Sequence, residues 1–406
     1  MLMTVSALKE RGVKLLSPES VFVGLEVELD AIAPGVVIHP GCRLLGKNLS
    51  IGPGSVIGKE ATATVDNCQL GHNVSLAGGY FKDSVFLDGS GMGSGAHVRA
   101  GCLLEEQASG AHSVGFKQTI FLPYVTAGSL VNFCDALMAG GRSRKEHSEI
   151  GSSYVHFNFT PHGDKATPSL IGDIPRGVML DQDPIFLGGQ GGLVGPVQVG
   201  YGTVIGAGSV QRKDILAEGQ LVMPPAYADG LNRSYHMKVY GDVDRIMKRN
   251  LAYVGNLYAL LEWYCRVRDL WLQADRFGQA CQEGALGVLD AAIAERTLRI
   301  EGLVEKVAIS LEQIRKGEAE VKQSHQASQE KLLALWPAIL GGLSNLNLSE
   351  IGVADRRKLV EALEKKTHLP YVEAVAELSS DIKSSGTDWL QAIVDEVTGL
   401  WDKPES

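Results

Sequence analysis

The sequence has no run of about 18 apolar residues, the length that a helix needs to cross a bilayer. Residues 1–11 lack the apolar stretch of a secretory signal. The six cysteines form no CxxC pair and follow no regular disulfide spacing, so we expect reduced and mostly buried thiols. These absences together favour a cytoplasmic protein that does not associate with a membrane.

The chain also has fewer basic than acidic residues, with 38 Lys and Arg compared with 47 Asp and Glu. The formal net charge of −9 argues against non-specific binding to nucleic acid or to an anionic membrane. A hydrophobic share of 45% and a charged share of 21% argue against disorder. The chain of 406 residues exceeds one ordinary domain, so two domains are the first expectation.

Tryptophan is absent before Trp263, and glycine becomes scarce after residue 229. Of the 48 glycines, 35 precede residue 229 and 13 follow it. The 15 prolines divide in the same way, with twelve before that point and three after it. This division predicts two architectures in one chain, of which the first is rich in tight turns.

Aliphatic residues recur every six positions through the glycine-rich part. The cleanest run consists of Leu187, Leu193, Val199 and Ile205, and an earlier run begins at Ile32. A period of six fits neither an α-helix nor an alternating strand. It fits one short strand per hexapeptide, with the aliphatic side chain inside a narrow prism and glycine or asparagine at the corner. Three sides make one coil of about 18 residues, which predicts a parallel β-helix, and hexapeptide spacing is typical of the left-handed form.

The repeat is interrupted between residues 105 and 149 and again between residues 158 and 186. Insertions in a solenoid form loops on one face, which is often the face that binds a ligand. Basic residues gather in these interruptions although the chain is acidic, namely Arg142, Arg144, Lys145, Lys165 and Arg176. This reversal of sign favours an anionic ligand such as a phosphorylated sugar or the pyrophosphate of CoA. For residues 142–145, an ordinary solvated loop is the alternative.

The last part of the chain has the periodicity of amphipathic helices. Apolar residues from Met247 to Cys265 recur at spacings of four and three, and residues from Ile300 to Ile314 repeat this stripe. Each run is too short to indicate a coiled coil. We therefore expect a helical bundle or helices that clasp a trimer, with a specific partner-binding domain as the alternative.

The sequence thus predicts a β + α protein in which a left-handed parallel β-helix precedes an all-α C-terminal domain. The expected units are an N-terminal lead-in over residues 1–20, the β-helix over residues 21–222 and the helical domain over residues 229–402. Residues 229–406 carry no motif that we recognise from a known family.

Several motifs of the first half occur together in one enzyme family. They are the segment 11–20, Val98-Arg-Ala-Gly, Asn158-Phe, Leu170-Ile-Gly-Asp and the run 195–208. These motifs resemble the left-handed β-helix acetyltransferase domain of the bifunctional N-acetylglucosamine-1-phosphate uridylyltransferase/glucosamine-1-phosphate N-acetyltransferase. The resemblance covers roughly residues 10–215, about half of the chain. The uridylyltransferase domain that precedes this segment in the family is missing here, so pyrophosphorylase chemistry is not expected from this chain.

The resemblance implies a substrate site and a catalytic pair. Arg99 matches the family arginine that contacts the sugar phosphate, and Lys117 and Lys165 match lysines that assist in substrate binding. His147 matches the catalytic histidine. Asn158 matches the asparagine of an Asn-Tyr pair that lines the sugar and acetyl-CoA.

The resemblance also implies an acetyl-CoA site and shows one departure. The implied cofactor-binding residues are Phe159, which replaces the tyrosine of that pair, Gly188, Gly189, Ala207 and Arg212. Glu149 stands where the family has an asparagine that shapes the acceptor pocket. A carboxylate at this place would repel a sugar phosphate, which favours a different acceptor.

The implied reaction moves an acetyl group from acetyl-CoA to the amine of an amino-sugar phosphate or of a nucleotide-linked amino sugar. The amine must be neutral to attack, so a base is needed whose pKa lies near the working pH, and histidine is suited to this. His156 and His162 are alternatives to His147 for this role. The resemblance further implies a homotrimer with sites between subunits.

Two other functions stay open at this point. One is a non-catalytic or regulatory trimer that retains a sugar-nucleotide or CoA pocket. The other is a zinc-dependent hydratase on the same scaffold, which requires three suitably placed histidines. The sequence offers no convincing set of three, so no metal site is assigned.

Overall fold

A computed structural model describes residues 2–224, 238–317 and 319–402, with side chains from residue 5 onward. The first part is a parallel β-solenoid, and the last part is helical. Residue 229, at which the helical domain is predicted to begin, lies outside the described residues. None of the helices in the described ranges is long and apolar enough to cross a membrane.

The solenoid is built from short strands, which are numbered along the chain. They are β1 (Lys14–Leu15), β2 (Phe22–Val23), β3 (Val37–Ile38), β4 (Arg43–Leu45), β5 (Ser50–Ile51), β6 (Val56–Ile57), β7 (Ala63–Asp66), β8 (Gln69–Leu70), β9 (Ser75–Leu76), β10 (Gly79–Lys82), β11 (Ser84–Phe86), β12 (Gly91–Met92), β13 (Ala96–Val98), β14 (Cys102–Leu104) and β15 (Ser109–Gly110). They continue as β16 (Gly115–Phe121), β17 (Thr126–Ala127), β18 (Asn132–Met138), β19 (Gly141–Ser143), β20 (Glu146–His147), β21 (Glu149–Ile150), β22 (Val155–Phe157), β23 (Ser169–Ile171), β24 (Phe186–Leu187), β25 (Gly192–Val194), β26 (Gln198–Val199), β27 (Val204–Ile205), β28 (Val210–Gln211) and β29 (Leu221–Val222).

The strands stack in register on three faces of a prism. The first face is an 11-stranded parallel sheet that starts with β1, β3 and β6 and ends with β24, β27 and β29, so the solenoid has about 11 coils. Gly91 of β12 pairs with Ser109 of β15, eighteen residues further along, as three hexapeptides require. The second face (β2, β4, β7, β10, β13, β22, β25, β28) and the third face (β5, β8, β11, β14, β23, β26) are joined by β16 and β18, which run through the corner between them.

Inward-facing aliphatic side chains stack on their equivalents in the next coil. Ile38, Ile57 and Leu76 pair across three successive coils of the first face and are buried. Burial of one such side chain stabilises the fold by about 1.5–3 kcal/mol. Each of the three faces takes one such side chain from every coil of about 18 residues. The aliphatic residues therefore recur about every six positions along the chain. The predicted fold class, a β-helix followed by an all-α part, is confirmed.

The corner between the second and third faces carries one residue with positive φ in each of five successive coils. These residues are Asn67, Asp83, Gly101, Gln118 and Asp135, with φ between 44° and 83°. Glycine adopts this left-handed conformation freely, Asn and Asp tolerate it, and glutamine rarely does. We call this set the corner column.

The helices begin at the N-terminus and are concentrated after the solenoid. They are α1 (Leu2–Glu10), α2 (Ile174–Gly177), α3 (Asp244–Trp263), α4 (Asp269–Leu272), α5 (Arg276–Arg315), α6 (Gln323–Ser344), α7 (Val353–Glu364), α8 (Tyr371–Ala376) and α9 (Ser380–Thr398). A π-helical turn, Tyr264–Arg268, connects α3 to α4. Short 3-10 turns occur at Pro18–Ser20, Leu29–Ala31, Leu348–Glu350 and Gly399–Trp401.

The longest helix, α5, follows the corner column along the solenoid. A Cβ at Gly284 would lie 2.3 Å from Gln69 Oε1 and 2.9 Å from Val85 Cγ2, so the helix is pressed against the prism there. Four coils later, Arg296 contacts Asp135. Four coils span about 19 Å, and the twelve residues from Gly284 to Arg296 rise about 18 Å. Because the two lengths agree, α5 runs parallel to the solenoid axis.

Helices α3 and α9 pack on the solenoid through α2 and β23. Asn256 Oδ1 accepts a hydrogen bond from the backbone N–H of Ile174 at 2.7 Å, and Lys383 Nζ donates to the carbonyl of Met179 at 2.9 Å. One hydrophobic core contains residues of both parts. The third face of the prism is therefore covered by helices of the same chain.

A buried ionic cluster joins the π-helical turn to the solenoid. Arg268 is fully buried, forms an ion pair with Glu106, and lies 3.7 Å from the ring centroid of Tyr371. Tyr264 donates a hydrogen bond to Glu105 Oε1 at 2.7 Å. Burial raises the pKa of Glu105 to about 7. This cluster holds the middle of the helical part against the solenoid.

The close approach at Gly284 generates a stability prediction. We expect Gly284→Leu to lower the free energy of unfolding by about 1–3 kcal/mol, because the new side chain has no room between α5 and the solenoid. Gly287→Leu is the matched control, since no atom lies within 4 Å of a Cβ there. The control gains helix propensity of about 0.5–1 kcal/mol. Thermal unfolding followed by circular dichroism measures both, and equal shifts would contradict close packing at Gly284.

Candidate functional site

A cavity of about 230 Å³ lies where α5 meets the corner column. Four residues of the predicted site line it, namely Arg99, Lys117, Asn158 and Lys165. The other lining residues are Gln118, Asn132, Cys134, Asp135, Glu295 and Arg299. We call it the corner cavity. It unites residues as distant as Arg99 and Arg299, which are 200 positions apart in the chain.

Strand register places two cations of the corner cavity side by side. Val98 of β13 pairs with Phe116 of β16, and both side chains are buried in the prism. Because side chains alternate along a strand, the residues that follow them, Arg99 and Lys117, point outward. Adjacent coils are about 4.8 Å apart, so the two cationic side chains start from neighbouring positions on the same face.

The corner cavity is lined by three cations of the solenoid and by two carboxylates, Asp135 and Glu295, which are paired with arginines of α5. Among the residues that the structure describes, Arg99, Lys117 and Lys165 form no ion pair. The Arg99 guanidinium donates a hydrogen bond to Cys134 Sγ at 3.5 Å. Because Asp135 and Glu295 are paired with Arg296 and Arg299, a bound anion would relieve the mutual repulsion of the three solenoid cations.

Asp135 organises the wall of the corner cavity. Its carboxylate is 4% exposed and forms an ion pair with Arg296 of α5, which is 3% exposed, at 2.8 Å. Asn158 Nδ2 donates to Asp135 Oδ2 at 2.7 Å. Arg296 also donates to Gln118 Oε1 and to the carbonyl of Lys165, both at 3.2 Å. The charge of Asp135 is therefore neutralised within the wall.

Helix α5 adds a second charged pair to the corner cavity. Arg299 Nη2 lies 2.6 Å from Glu295 Oε1, one helical turn earlier. Sequence reasoning missed Asp135, Glu295, Arg296 and Arg299. The three α5 residues have the spacing of an ordinary solvated helix surface, and no local signal indicates which corner of the solenoid they meet.

The predicted catalytic histidine does not line the corner cavity. His147 lies in the hairpin formed by β19 and β20, and its Nε2 is 4.0 Å from Glu149 Oε2. Glu149 belongs to β21 on the first face, whereas the cavity lies at the corner between the second and third faces. The structure thus separates His147 and Glu149 from Arg99, Lys117 and Asn158 within one chain.

The two alternative histidines occupy different surroundings. His156 is buried inside the prism, where Nδ1 lies against the carbonyl of Cys134 and Nε2 is 2.8 Å from Ser169 Oγ. Burial lowers the pKa of His156, which therefore stays neutral and serves the core. Burial also lowers the pKa of His162, and its ring stacks on Tyr240 at 4.3 Å.

Most of the basic residues in the interruptions are engaged within the protein. Arg142 pairs with Asp183 at 2.7 Å and with Glu146, and Arg144 donates to the carbonyl of Tyr124 at 2.9 Å. Arg176 pairs with Asp173 and Glu218. These arginines therefore form contacts within the protein. Of the five basic residues predicted in the interruptions, Lys165 lines the corner cavity.

The predicted acetyl-CoA residues lie in the later coils. A Cβ at Gly188 would lie 2.4 Å from the backbone nitrogen of Ala207, so these coils approach closely. Gly189 follows in the same turn, and Arg212 is exposed after β28. Phe159 is 70% exposed beside Asn158. The structure does not bring Gly188, Gly189, Ala207 and Arg212 into the corner cavity.

A shallow groove adjoins the corner cavity on the second face. It has a volume of about 420 Å³ and shares Arg99 and Asn132 with the cavity. Its lining includes His97, whose ring is 5.2 Å from that of Tyr80, and the exposed Leu130. We call the cavity and the groove together the depression; its cations line the cavity, and Leu130 is an exposed apolar residue of the groove.

The donor set of the depression suits an anion that also carries hydroxyl groups. Arg and Lys side chains recognise phosphoryl oxygens, and the Asn158 amide can hydrogen-bond a hydroxyl. No cluster of three or more His, Cys, Asp or Glu side chains that could hold a metal occurs in the described part of the chain.

The N-terminal part of the chain is similar in sequence to several known proteins. No protein-family model matches the chain. The N-terminal part is similar to bifunctional protein GlmU of Thermotoga petrophila, with 29% identity over 235 residues, which are 57% of this chain and 44% of the relative. GlmU of Thermotoga maritima is 27% identical over 232 residues (57% and 44%), and GlmU of Pelobacter propionicus is 30% identical over 207 residues (51% and 40%).

These relatives confirm the predicted resemblance for the N-terminal part of the chain. The chain spans less than half the length of the curated relatives that it matches. The matched share carries Arg99, Lys117, Asn158 and Lys165 on the solenoid, and α5 adds Arg299 from the helical part.

The buried pair between Arg296 and Asp135 generates a second stability prediction. We expect Arg296→Met to lower the free energy of unfolding by about 3–5 kcal/mol, because it leaves a buried carboxylate without its cation. Arg299→Met, in the partly exposed pair three residues further on, should cost no more than about 1 kcal/mol. Denaturant unfolding followed by tryptophan fluorescence reports on the helical part, which holds all five tryptophans. Equal losses in the two variants would contradict a special role for Arg296.

Proposed function

We propose that the chain is an acyltransferase of the hexapeptide-repeat class that acetylates an amino-sugar phosphate or a nucleotide-linked amino sugar with acetyl-CoA. The observation that carries this proposal is the convergence of Arg99, Lys117 and Lys165, none with an ion-pair partner in the described chain, beside Asn158 in the corner cavity. The cavity has a volume of about 230 Å³ and adjoins the groove of about 420 Å³ on the second face, with which it shares Arg99 and Asn132. The similarity of the solenoid to GlmU proteins supports the same substrate class.

In the proposed reaction, the neutral amine of the sugar attacks the thioester carbon of acetyl-CoA. A C–N bond forms, the C–S bond breaks, CoA leaves as a thiolate that takes up a proton, and the amine loses a proton to a base. Arg99, Lys117 and Lys165 bind the phosphate, while Asn158, held by Asp135, orients the sugar. The N–H groups of Gly188, Gln190 and Gly192 already donate to the carbonyls of Ile205, Ser152 and Ser209. The backbone N–H of Gly189 is therefore the group of this turn that we propose for stabilising the developing oxyanion.

The base in this proposal is His147, which one chain keeps away from its own corner cavity. A homotrimer resolves this separation if the site is completed by a neighbouring copy. The third face is covered by the helical part, so the first and second faces are available for subunit contacts. Phe186, Val204 and Leu221 form an exposed apolar ladder in register on the first face, close to the predicted acetyl-CoA residues. A second copy of this chain is the occupant that we propose for this ladder.

The assembly generates a third prediction. Sedimentation velocity should give a particle of about 130 kDa, three times the chain mass of 43.5 kDa. Val204→Glu should shift the particle toward 43.5 kDa, because it places a charge in the apolar ladder. Leu298→Glu alters an exposed leucine of α5 and serves as the matched control that stays assembled. A wild-type protein that sediments as a monomer would refute the trimer.

The reaction generates a fourth prediction. Release of the CoA thiol from acetyl-CoA should depend on glucosamine 1-phosphate, and Arg99→Ala should raise KM for the sugar phosphate about 10- to 100-fold by removing a charge-assisted contact. Arg43→Ala removes an arginine that stacks on Phe22 of the same face, remote from the corner cavity, and should leave KM unchanged. His147→Ala should lower kcat about 100-fold or more with KM unaltered, as loss of a general base does.

The position of His147 outside the corner cavity favours one alternative, a non-catalytic protein that binds a sugar phosphate. Binding of glucosamine 1-phosphate by calorimetry without any release of CoA thiol would support that alternative and reject the transferase. Full activity of His147→Ala would reject His147 as the base. Absence of both binding and turnover would reject the sugar-phosphate site itself.

A further inference from the structure

We propose that Arg299 of α5 binds the anionic group of the substrate, so that the helical part contributes directly to specificity. The inference rests on the proposed function in one respect, the sugar phosphate as ligand. It goes beyond it because the resemblance to other proteins is confined to the solenoid, whereas Arg299 belongs to the helical part. The corner cavity is then formed by two parts of one chain.

Arg299 lies on the part of α5 that contacts the solenoid at the corner cavity. Residues 295, 296 and 299 lie on the side of the helix that faces the corner column, where Arg296 is anchored to Asp135 at 2.8 Å. Asp135 also holds Asn158 at 2.7 Å. One carboxylate therefore fixes both the solenoid asparagine and the helix that carries Arg299, which sets the distance between them.

Arg299 is paired with Glu295, a residue of its own helix. Its guanidinium contacts Glu295 of the same helix at 2.6 Å, and both side chains are partly exposed, at 33% and 21%. Such an exposed pair within one helix is weak, so a phosphate can replace the carboxylate at little cost. Arg299 is therefore held ready beside the cavity and remains available to a ligand.

The charge of the cations that line the cavity suits a phosphate group. A phosphate monoester carries about −1.5 to −2 charges at neutral pH. Arg99, Lys117 and Lys165 surround the cavity from the solenoid side, and Arg299 is the arginine on the opposite wall. Its planar guanidinium can bind two phosphoryl oxygens at once, which a lysine cannot. Arg299 thus encloses the phosphate between the two parts of the protein.

The test is calorimetric titration of the full chain with glucosamine 1-phosphate and with glucosamine. Arg299→Ala should weaken binding of the phosphorylated ligand about 10- to 100-fold and leave binding of glucosamine unchanged. Arg299→Lys should recover only part of the loss, because it restores the charge without the bidentate geometry. Arg315→Ala is the matched control, since Arg315 lies on the same helix in an exposed pair with Glu330.

A second variant guards against a merely structural effect. Glu295→Gln removes the carboxylate that competes for Arg299 and should strengthen binding of glucosamine 1-phosphate. Because Glu295 Oε1 also lies 3.9 Å from Arg296 Nη2, the free energy of unfolding of this variant is measured beside its binding. A structural role of the pair would instead weaken binding of both ligands equally. If the wild-type chain binds glucosamine 1-phosphate and Arg299→Ala binds it equally well, the inference is overturned while the proposed function stands. If the wild-type chain does not bind it, both are overturned.

Discussion

The ion pair between Asp135 and Arg296 is the contact on which the arrangement of this protein depends. Both groups are almost fully buried, and a buried pair is tolerated only when its remaining hydrogen-bonding groups are satisfied. Here Asn158 and Gln118 supply those bonds. The pair therefore ties the helical part to the solenoid at the point where the corner cavity forms, and the wall of the cavity cannot move independently of α5.

The solenoid and the helix share a geometry that makes this contact possible. Coils repeat about every 4.8 Å, and a helix rises about 5.4 Å per turn, so α5 can follow successive strands of the third face and reach Gln118 and Asp135 through Arg296. Gly284 allows the close approach at one end, and Arg296 closes the contact at the other. The helical part thereby covers the third face of the prism.

Site residues that lie close to a local sequence motif could be predicted, whereas the position of a residue in an irregular loop could not. Arg99, Lys117, Asn158 and Lys165 follow motifs that are local in sequence, and stacking of coils brings them together. His147 is also close to such a motif, but it lies in the hairpin of β19 and β20, beside Glu149 of the first face and away from the corner cavity. The hairpin is irregular, and neither its length nor its direction follows from a six-residue period.

By itself, the sequence determined the β-solenoid and the change to helices, and it singled out the cations Arg99, Lys117 and Lys165, which line the corner cavity. It could do so because each coil repeats the same inward aliphatic position and the same tight corner, so the information is local and periodic. Only the tertiary structure decided which face the helices cover, that Glu295 and Arg299 line the cavity, and that Arg296 pairs with Asp135 in its wall. These contacts join residues more than 130 positions apart, and an amphipathic helix does not encode the surface on which it packs.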